Sequence, residues 1–250
     1  MLREPKICIV IPCYNNVGTI AEVALAVKQY LDDVVVVCDG CTDGSDAEVL
    51  KIQDKVTCIS YTPNKGKGHA IKTGVLYAIQ HKFDYMITID ADGQHFASDI
   101  PLFIKSIKNN NGAMIIGNRF LKQENMPEGN TFANKFSNFW FALQTGIYLP
   151  DTQSGFRAYP LNMIASMHLF TSRYEAELEY LVRLAWQNVK FVNIPIQVYY
   201  APAGERVTHF RKGADFIRIS MMNTVLCLLS IVYGYPSRLI RYIFNGGRHE

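Results

Sequence analysis

The stretch Tyr85-Met86-Ile87-Thr88-Ile89-Asp90-Ala91-Asp92-Gly93-Gln94-His95 decides how this chain is read. Residues 85–89 are apolar, aromatic or β-branched, as in a strand buried on both faces. Asp90 and Asp92 follow where that strand must turn. Two carboxylates at i and i+2 can converge on one ion; without a cation they repel by roughly 4 kcal/mol at about 4 Å and an effective dielectric of about 20. A hard divalent cation removes that cost, prefers oxygen ligands and completes its shell with phosphate oxygens and water. An isolated Asp-x-Asp is more often a solvated acidic turn. Here the buried strand before it, and Gly93-Gln94-His95 after it, favour the ion site.

Outward from this strand, similar short runs recur at 6–11, 34–38, 56–61 and 113–117. Between them, Ile20, Val23, Ala24, Val27, Tyr30 and Leu31 follow helical spacing, and 68–81 and 98–110 also read as helices. Repeated β-α units predict an α/β fold, an open, Rossmann-like and mostly parallel sheet with helices on both faces. Ligands of such sheets sit at the carboxyl ends of the strands, where the polar motifs of this chain fall. Beyond Phe120 the alternation stops: 121–129 reads as a polar mobile loop, 131–148 and 174–187 as helices, and 190–199 as a strand.

The remaining motifs each admit two readings. Asp39-Gly40-Cys41-Thr42-Asp43 supplies an acid able to accept from a base N–H or a ribose hydroxyl, or forms a tight turn in which Asp43 or Ser45 caps the next helix. Pro12-Cys13-Tyr14-Asn15-Asn16 offers contacts to a nucleotide, or is a strand end and helix cap. Asn64-Lys65-Gly66-Lys67-Gly68 opens a helix, and its N–H groups suit an anion. Arg119 and Arg157, in GNR and in DTQSGFRAY (151–159), are phosphate clamps or members of surface ion pairs. Glu175 and Glu177 complement a helix dipole or reach a reaction centre. Cys38-x-x-Cys41 is set aside as a redox pair, and no second cysteine pair supports zinc. Walker A and G-x-G-x-x-G loops are absent.

Taken together, PCYNN, CDGCTD, NKGKG, DADGQH, GNRF, DTQSGFRAY and YEAE resemble family 2 glycosyltransferases of the GT-A fold, and within them the dolichyl- or polyprenyl-phosphate sugar transferase branch. The resemblance spans about residues 5–200. It implies that Pro12, Tyr14 and Asn16 line a nucleotide pocket, although Asn16 replaces the usual acid, and that Asp39 contacts the base. It implies Asp90, Asp92 and Gln94 around Mg2+ or Mn2+, with Ala91 and Lys67 beside the donor. Arg119 and Arg157 would face phosphates and Ser154 the donor. The implied reaction moves a hexose from a nucleotide sugar (GDP-mannose or UDP-glucose type) to a lipid acceptor, a polyprenyl phosphate, with inversion and no covalent intermediate. An alcohol acceptor, the alternative, needs a general base; Glu175 or Glu177 is then the candidate beside Asp92, Arg119 and Arg157. A nucleotide-sugar-binding protein with a degenerate site is the non-enzymatic alternative, and a nucleotidyltransferase would instead release pyrophosphate.

The tail differs in character. Residues 203–250 carry seven basic side chains (Arg206, Arg211, Lys212, Arg218, Arg238, Arg241, Arg248) against three acids. Inside them, 219–237 is an uncharged run of 19 residues. Ser220, Asn223, Cys227, Ser230 and Gly234 form a small, polar stripe suited to close helix packing. The remaining faces are apolar and suit lipid or a partner, and Pro236 is expected to break the helix. We expect a catalytic unit at 1–202 and a membrane-surface helical extension at 203–250, with homo-oligomerisation through that helix as a second use. Net charge is only +3, which does not imply nucleic acid, and 49% hydrophobic residues argue against disorder. The N-terminal residues contain no apolar run of signal-peptide length, so a cytoplasmic, reducing setting at the inner membrane face is expected.

Overall fold

The computed structural model describes residues 3–119, 128–200 and 213–244, without the side chains of 128–132, 214 and 215. The expected loop at 121–129 falls largely outside these residues, as do Arg206, Arg211, Lys212 and Arg248.

Seven strands form one sheet: β1 (Ile7–Cys13), β2 (Val34–Asp39), β3 (Thr57–Tyr61), β4 (Tyr85–Thr88), β5 (Met114–Arg119), β6 (Arg157–Pro160) and β7 (Phe191–Ile196). Their order is β3-β2-β1-β4-β6-β5-β7. All pairings are parallel except those of β6, which runs antiparallel between β4 and β5. The mostly parallel sheet confirms the fold class. Strand β6 is the element the sequence hid: it is four residues long, opens on a buried arginine, and lies inside a segment read only as a polar cluster.

Alternation along the central strands splits the core in two. Ile7, Ile9, Ile11 and Cys13 face α1 (Ile20–Lys28), α2 (Ser45–Leu50) and α4 (Ile100–Asn109), while Cys8 and Val10 face α3 (Lys67–Gln80), α5 (Glu128–Thr145) and α7 (Glu175–Trp186). Both faces are therefore dry, which is why β1, β2 and β4 are apolar until β2 ends on Asp39 and β4 on Thr88. A short α6 (Leu161–Ile164) follows β6. Helix α1 ends before Tyr30, which is 40% exposed rather than part of the apolar face.

The C-terminal helices are α8 (Ala214–Leu229) and α9 (Tyr235–Phe244), joined by a π-helical turn at Ser230–Gly234. Pro236 therefore does not break the helix, contrary to expectation. It sits at the second position of α9, just after a turn that absorbs the missing N–H. The small-residue stripe packs inward: Gln144 Nε2 donates to Asn223 Oδ1 at 2.9 Å, and Trp186 Nε1 donates to the Gln144 carbonyl at 3.0 Å. A Cβ on Gly234 would lie 2.4 Å from the Trp186 indole nitrogen, so only glycine permits this contact.

Candidate active site

Strand β4 delivers Asp90 and Asp92 to the carboxyl edge of the sheet, between β1 and β6. The Asp-Ala-Asp turn is held from several sides. Thr19, preceding α1, donates to the Ala91 carbonyl at 2.7 Å, and the Gln94 N–H donates to Asp92 Oδ1 at 3.0 Å. Gly93 takes a left-handed φ of 74° that lets the chain reverse. Gln94 is thus next to the acids, though its backbone rather than its side chain makes the contact. Gly155, ahead of β6, lies under Asp90; a Cβ there would come within 2.3 Å of Asp90 Oδ2. The glycine lets a carboxylate rest directly on the neighbouring strand.

Lys67 is the surprise of the site. Its Nζ lies 2.7 Å from Asp90 Oδ1 and 3.0 Å from Glu177 Oε2, joining the first turn of α3 to β4 and α7. The sequence placed Lys67 among donor-binding groups but gave no sign of this bridge, because its partners are 23 and 110 residues away. His95 Nε2 is 3.7 Å from Asp90 Oδ2. Burial pulls the His95 ring down to about 4, more than Asp90 raises it, so the ring is neutral near pH 7. Burial raises Asp90, yet the Lys67 ammonium, its hydrogen bond and further positive charge from Arg157 act together to bring the carboxyl down to about 2. Asp92 moves the other way, up to about 6, through burial and the charge of Asp90. Burial opposes the charge on Lys67, but Asp90 and Glu177 together raise its pKa.

Glu175 and Glu177 open α7 and are 7% and 8% exposed. Glu175 Oε2 and Glu177 Oε1 are buried without a hydrogen-bond partner, as is His95 Nδ1. Orphaned acceptors of this kind are costly unless a ligand or proton satisfies them.

Four of the expected site residues are engaged within the chain itself. Asp39 is 2% exposed, and its carboxylate accepts from the Lys65 and Gly66 N–H groups at 2.7 Å and from Asn64 Nδ2 at 3.0 Å. The anion held by NKGKG is thus the chain's own Asp39, because parallel β2 and β3 bring the two loops together. Arg157 is 1% exposed and donates to the Ser154, Thr152 and Glu177 carbonyls at 2.6, 2.8 and 2.9 Å. Nη1 also donates to the Tyr159 hydroxyl at 3.5 Å, and together these bonds make the guanidinium a buried strut for the approach to β6. Ser154 is fully buried, and its hydroxyl accepts the Phe156 N–H at 3.4 Å, so it faces the turn rather than a donor. Arg119 is held two-pronged by the buried Asp151 (Nε 2.7 Å, Nη2 2.8 Å), with 16% of its side chain exposed.

The first loop keeps its place. Pro12 is buried within β1 opposite Val37, while Tyr14 and Asn16 are half-buried beyond the strand end. Asn15 takes φ 53° and its Oδ1 accepts the Thr42 N–H at 2.8 Å; Ser45 Oγ accepts the Asn16 N–H at 2.8 Å. The helix-cap reading of Asp43 or Ser45 is corrected: Gly44, at φ 91°, is the N-cap of α2 and no side chain caps it, while the Ser45 N–H donates to Asp43 Oδ1 at 2.9 Å within the turn.

The donor set of Asp90, Asp92 and the Gln94 turn is all oxygen, partly exposed and braced, with an ammonium already seated against Asp90. It fits a hard divalent cation. Comparison with known proteins agrees with this architecture. The profile described as glycosyl transferase family 2 matches residues 8–164. The UDP-N-acetylglucosamine–dolichyl-phosphate N-acetylglucosaminyltransferase of Methanococcus voltae is 29% identical over 220 residues, covering 80% of this chain and 88% of its own. The undecaprenyl-phosphate mannosyltransferase of Micrococcus luteus is 24% identical over 213 residues, covering 80% and 86%. Among solved structures, glucosyl-3-phosphoglycerate synthase of Mycobacterium tuberculosis, crystallised with Mn2+, UDP-glucose and phosphoglyceric acid, superposes with a TM-score of 0.65 at 17% identity, covering 89% of this chain and 80% of its own. The last shows the GT-A fold, and the two relatives bear out the resemblance to the polyprenyl-phosphate sugar transferase branch. With the profile spanning most of the α/β sheet, the chain belongs to glycosyl transferase family 2 and is a glycosyltransferase.

Proposed function

We propose that this glycosyltransferase moves a hexose from a nucleotide sugar to a polyprenyl phosphate at a membrane surface, with inversion. The observation that carries the reading is the row Glu177–Lys67–Asp90, set beside Asp92 at the end of β4. It is a pre-charged cleft edge with cation and carboxylates alternating, suited to a diphosphate and a divalent ion. Asp90, Asp92 and Gln94 would hold Mg2+ or Mn2+, which supplies charge neutralisation for the departing nucleoside phosphate. Support for that cation comes from the oxygen donor set and from the Mn2+ in the solved relative of like fold.

Lys67 positions Asp90 in the resting state and offers its ammonium to a donor phosphate. Arg119, fixed in direction by Asp151, presents positive charge to the same cleft. Pro12, Tyr14 and Asn16 border the nucleotide. A lipid phosphate is already ionised near pH 7, so no base is needed to activate it. Glu175 and Glu177, poorly satisfied and buried, remain the base candidates for the alcohol alternative.

The acceptor side rests on the helix Phe216–Phe244, 29 residues long, whose most apolar 18-residue window has a mean hydropathy of 1.7 and is 22% buried. Its inward stripe packs on α5 and α7, so the helix lies along the catalytic unit. Met221, Leu228, Ile231 and Val232 point outward at 63–78% exposure. That arrangement favours a surface-embedded helix at the cytoplasmic membrane face over a span. All six cysteines are free, in keeping with a reducing compartment.

The test is transfer of label from a panel of nucleotide sugars to polyprenyl phosphate and, separately, to lipid alcohols, with Mn2+ or with chelator. Product on the phosphate that disappears with chelator is expected. Product on the alcohol alone would overturn the acceptor assignment, and chelator-insensitive turnover the metal assignment.

A further inference from the structure

Cys13 meets Cys38 and Cys41, 25 and 28 residues further along the chain, at the carboxyl ends of β1 and β2. Cys13 and Cys38 are register partners in adjacent parallel strands, and both are buried. Cys41 lies three residues beyond Cys38. The turn between them closes because Gly40 takes a φ of 65° and packs so tightly that a Cβ would sit 2.3 Å from the Asn64 backbone nitrogen. That turn brings Cys41 back over β1, where its Sγ donates to the Cys13 carbonyl at 3.5 Å. The sulfurs of Cys13, Cys38 and Cys41 all lie within 4.8 Å of one another.

We infer that this trio is a binding site for a soft, thiophilic divalent cation of the zinc class, separate from the Asp90–Asp92 centre. Tetrahedral zinc at about 2.3 Å from each sulfur sets the sulfurs about 3.8 Å apart, so the trio needs to contract by no more than about 1 Å. Cys-x-x-Cys is the ligand spacing of structural zinc sites, and the third sulfur comes from sheet register rather than from a second cysteine pair. Three protein ligands leave the fourth position to water on the half-buried side of Cys41. Thiolate ligands select against Mg2+ and Mn2+, which take oxygen, so the two centres sort their cations by chemistry. Cys41 precedes Thr42, whose N–H is held by Asn15. A cation here ties the turn after β2 to the end of β1, and so fixes the two loops that border the proposed nucleotide pocket.

The full-length chain, reduced and handled without oxygen, is titrated with Cd2+ in excess Mg2+, reading the thiolate-to-cadmium charge-transfer absorption. One Cd2+ per chain is expected, and Zn2+ bound first should raise the Cd2+ concentration needed to fill the site. Cys41→Ser, half-buried and compatible with folding by circular dichroism, should weaken binding at least about 100-fold, beyond the 10–100-fold typical of merely losing an outer partner. Cys13→Ser should do the same, and Cys227→Ser, on α8, should change nothing. No charge-transfer band at one equivalent, or a band that persists undiminished in Cys41→Ser, overturns the site.

Discussion

Asp92, pushed up to about 6 by burial and the charge of Asp90, gives opposite responses to one substitution. In the metal-free protein its native carboxyl holds a proton that the unfolded one, at 3.8, has already lost. Stability therefore falls as pH rises from about 4 to about 6 and stays lowered above. Asp92→Asn should raise the metal-free melting temperature at pH 7.5, by about 2–4 °C for each kcal/mol relieved, with the gain vanishing near pH 4. The same variant should lose about 10³-fold in metal-dependent turnover, the equivalent of about 4 kcal/mol. Mn2+ affinity of the wild type, read by calorimetry, should weaken below about pH 6, because a ligand must be deprotonated. Equal affinity at pH 5.5 and 7.5 would contradict Asp92 as a ligand. Gly155→Ala tests placement: its Cβ, 2.3 Å from Asp90 Oδ2, should displace the carboxylate and cut turnover about 100-fold while the fold survives. Asp90 and Asp92 were legible as residues, whereas the Lys67 bridge was not, since nothing local to Lys67 indicates Asp90 or Glu177.

At the level of elements, β6 and α7 are joined through Arg157. Removing a buried charge that satisfies three carbonyls leaves them without their donor, so Arg157→Ala should cost about 3–5 kcal/mol in chemical denaturation. A variant as stable as wild type but inactive would instead make Arg157 a phosphate ligand. The seam between α8–α9 and the catalytic unit is tested by Gly234→Leu. Overpacking against Trp186 should cost about 1–3 kcal/mol and shift tryptophan emission to longer wavelength as the indole gains water. Helices α1, α3, α4, α5 and α7 were legible because each carries an apolar face at helical spacing. Strand β6 was not, because four residues with an arginine at one end carry no readable period, and pairing on both sides supplies what the pattern lacks.

For the molecule as a whole, α8–α9 expose Met221, Leu228, Ile231 and Val232, α5 exposes Phe139 and Leu143, and the Tyr235 hydroxyl of α9 donates to the Leu143 carbonyl; α9 also carries Arg238 and Arg241. Leu228→Asp with Ile231→Asp removes two side chains worth about 1.5–3 kcal/mol each when buried in an apolar phase. Flotation with anionic vesicles should therefore fall at least 100-fold, while melting temperature is unchanged. Undiminished flotation would remove the membrane assignment, and conversion of a wild-type dimer to a monomer would give the face to a second copy instead. By itself the sequence determined the α/β class, the strands that carry the acids, and the family, because apolar periodicity and short motifs are local properties. Only the tertiary structure decided which charges meet. It assigned Asp39 to a loop and Arg157 to main-chain carbonyls, gave Asp90 its lysine, and brought three cysteines together. Strand order and register fix those distances, and neither is written in the spacing of any single motif.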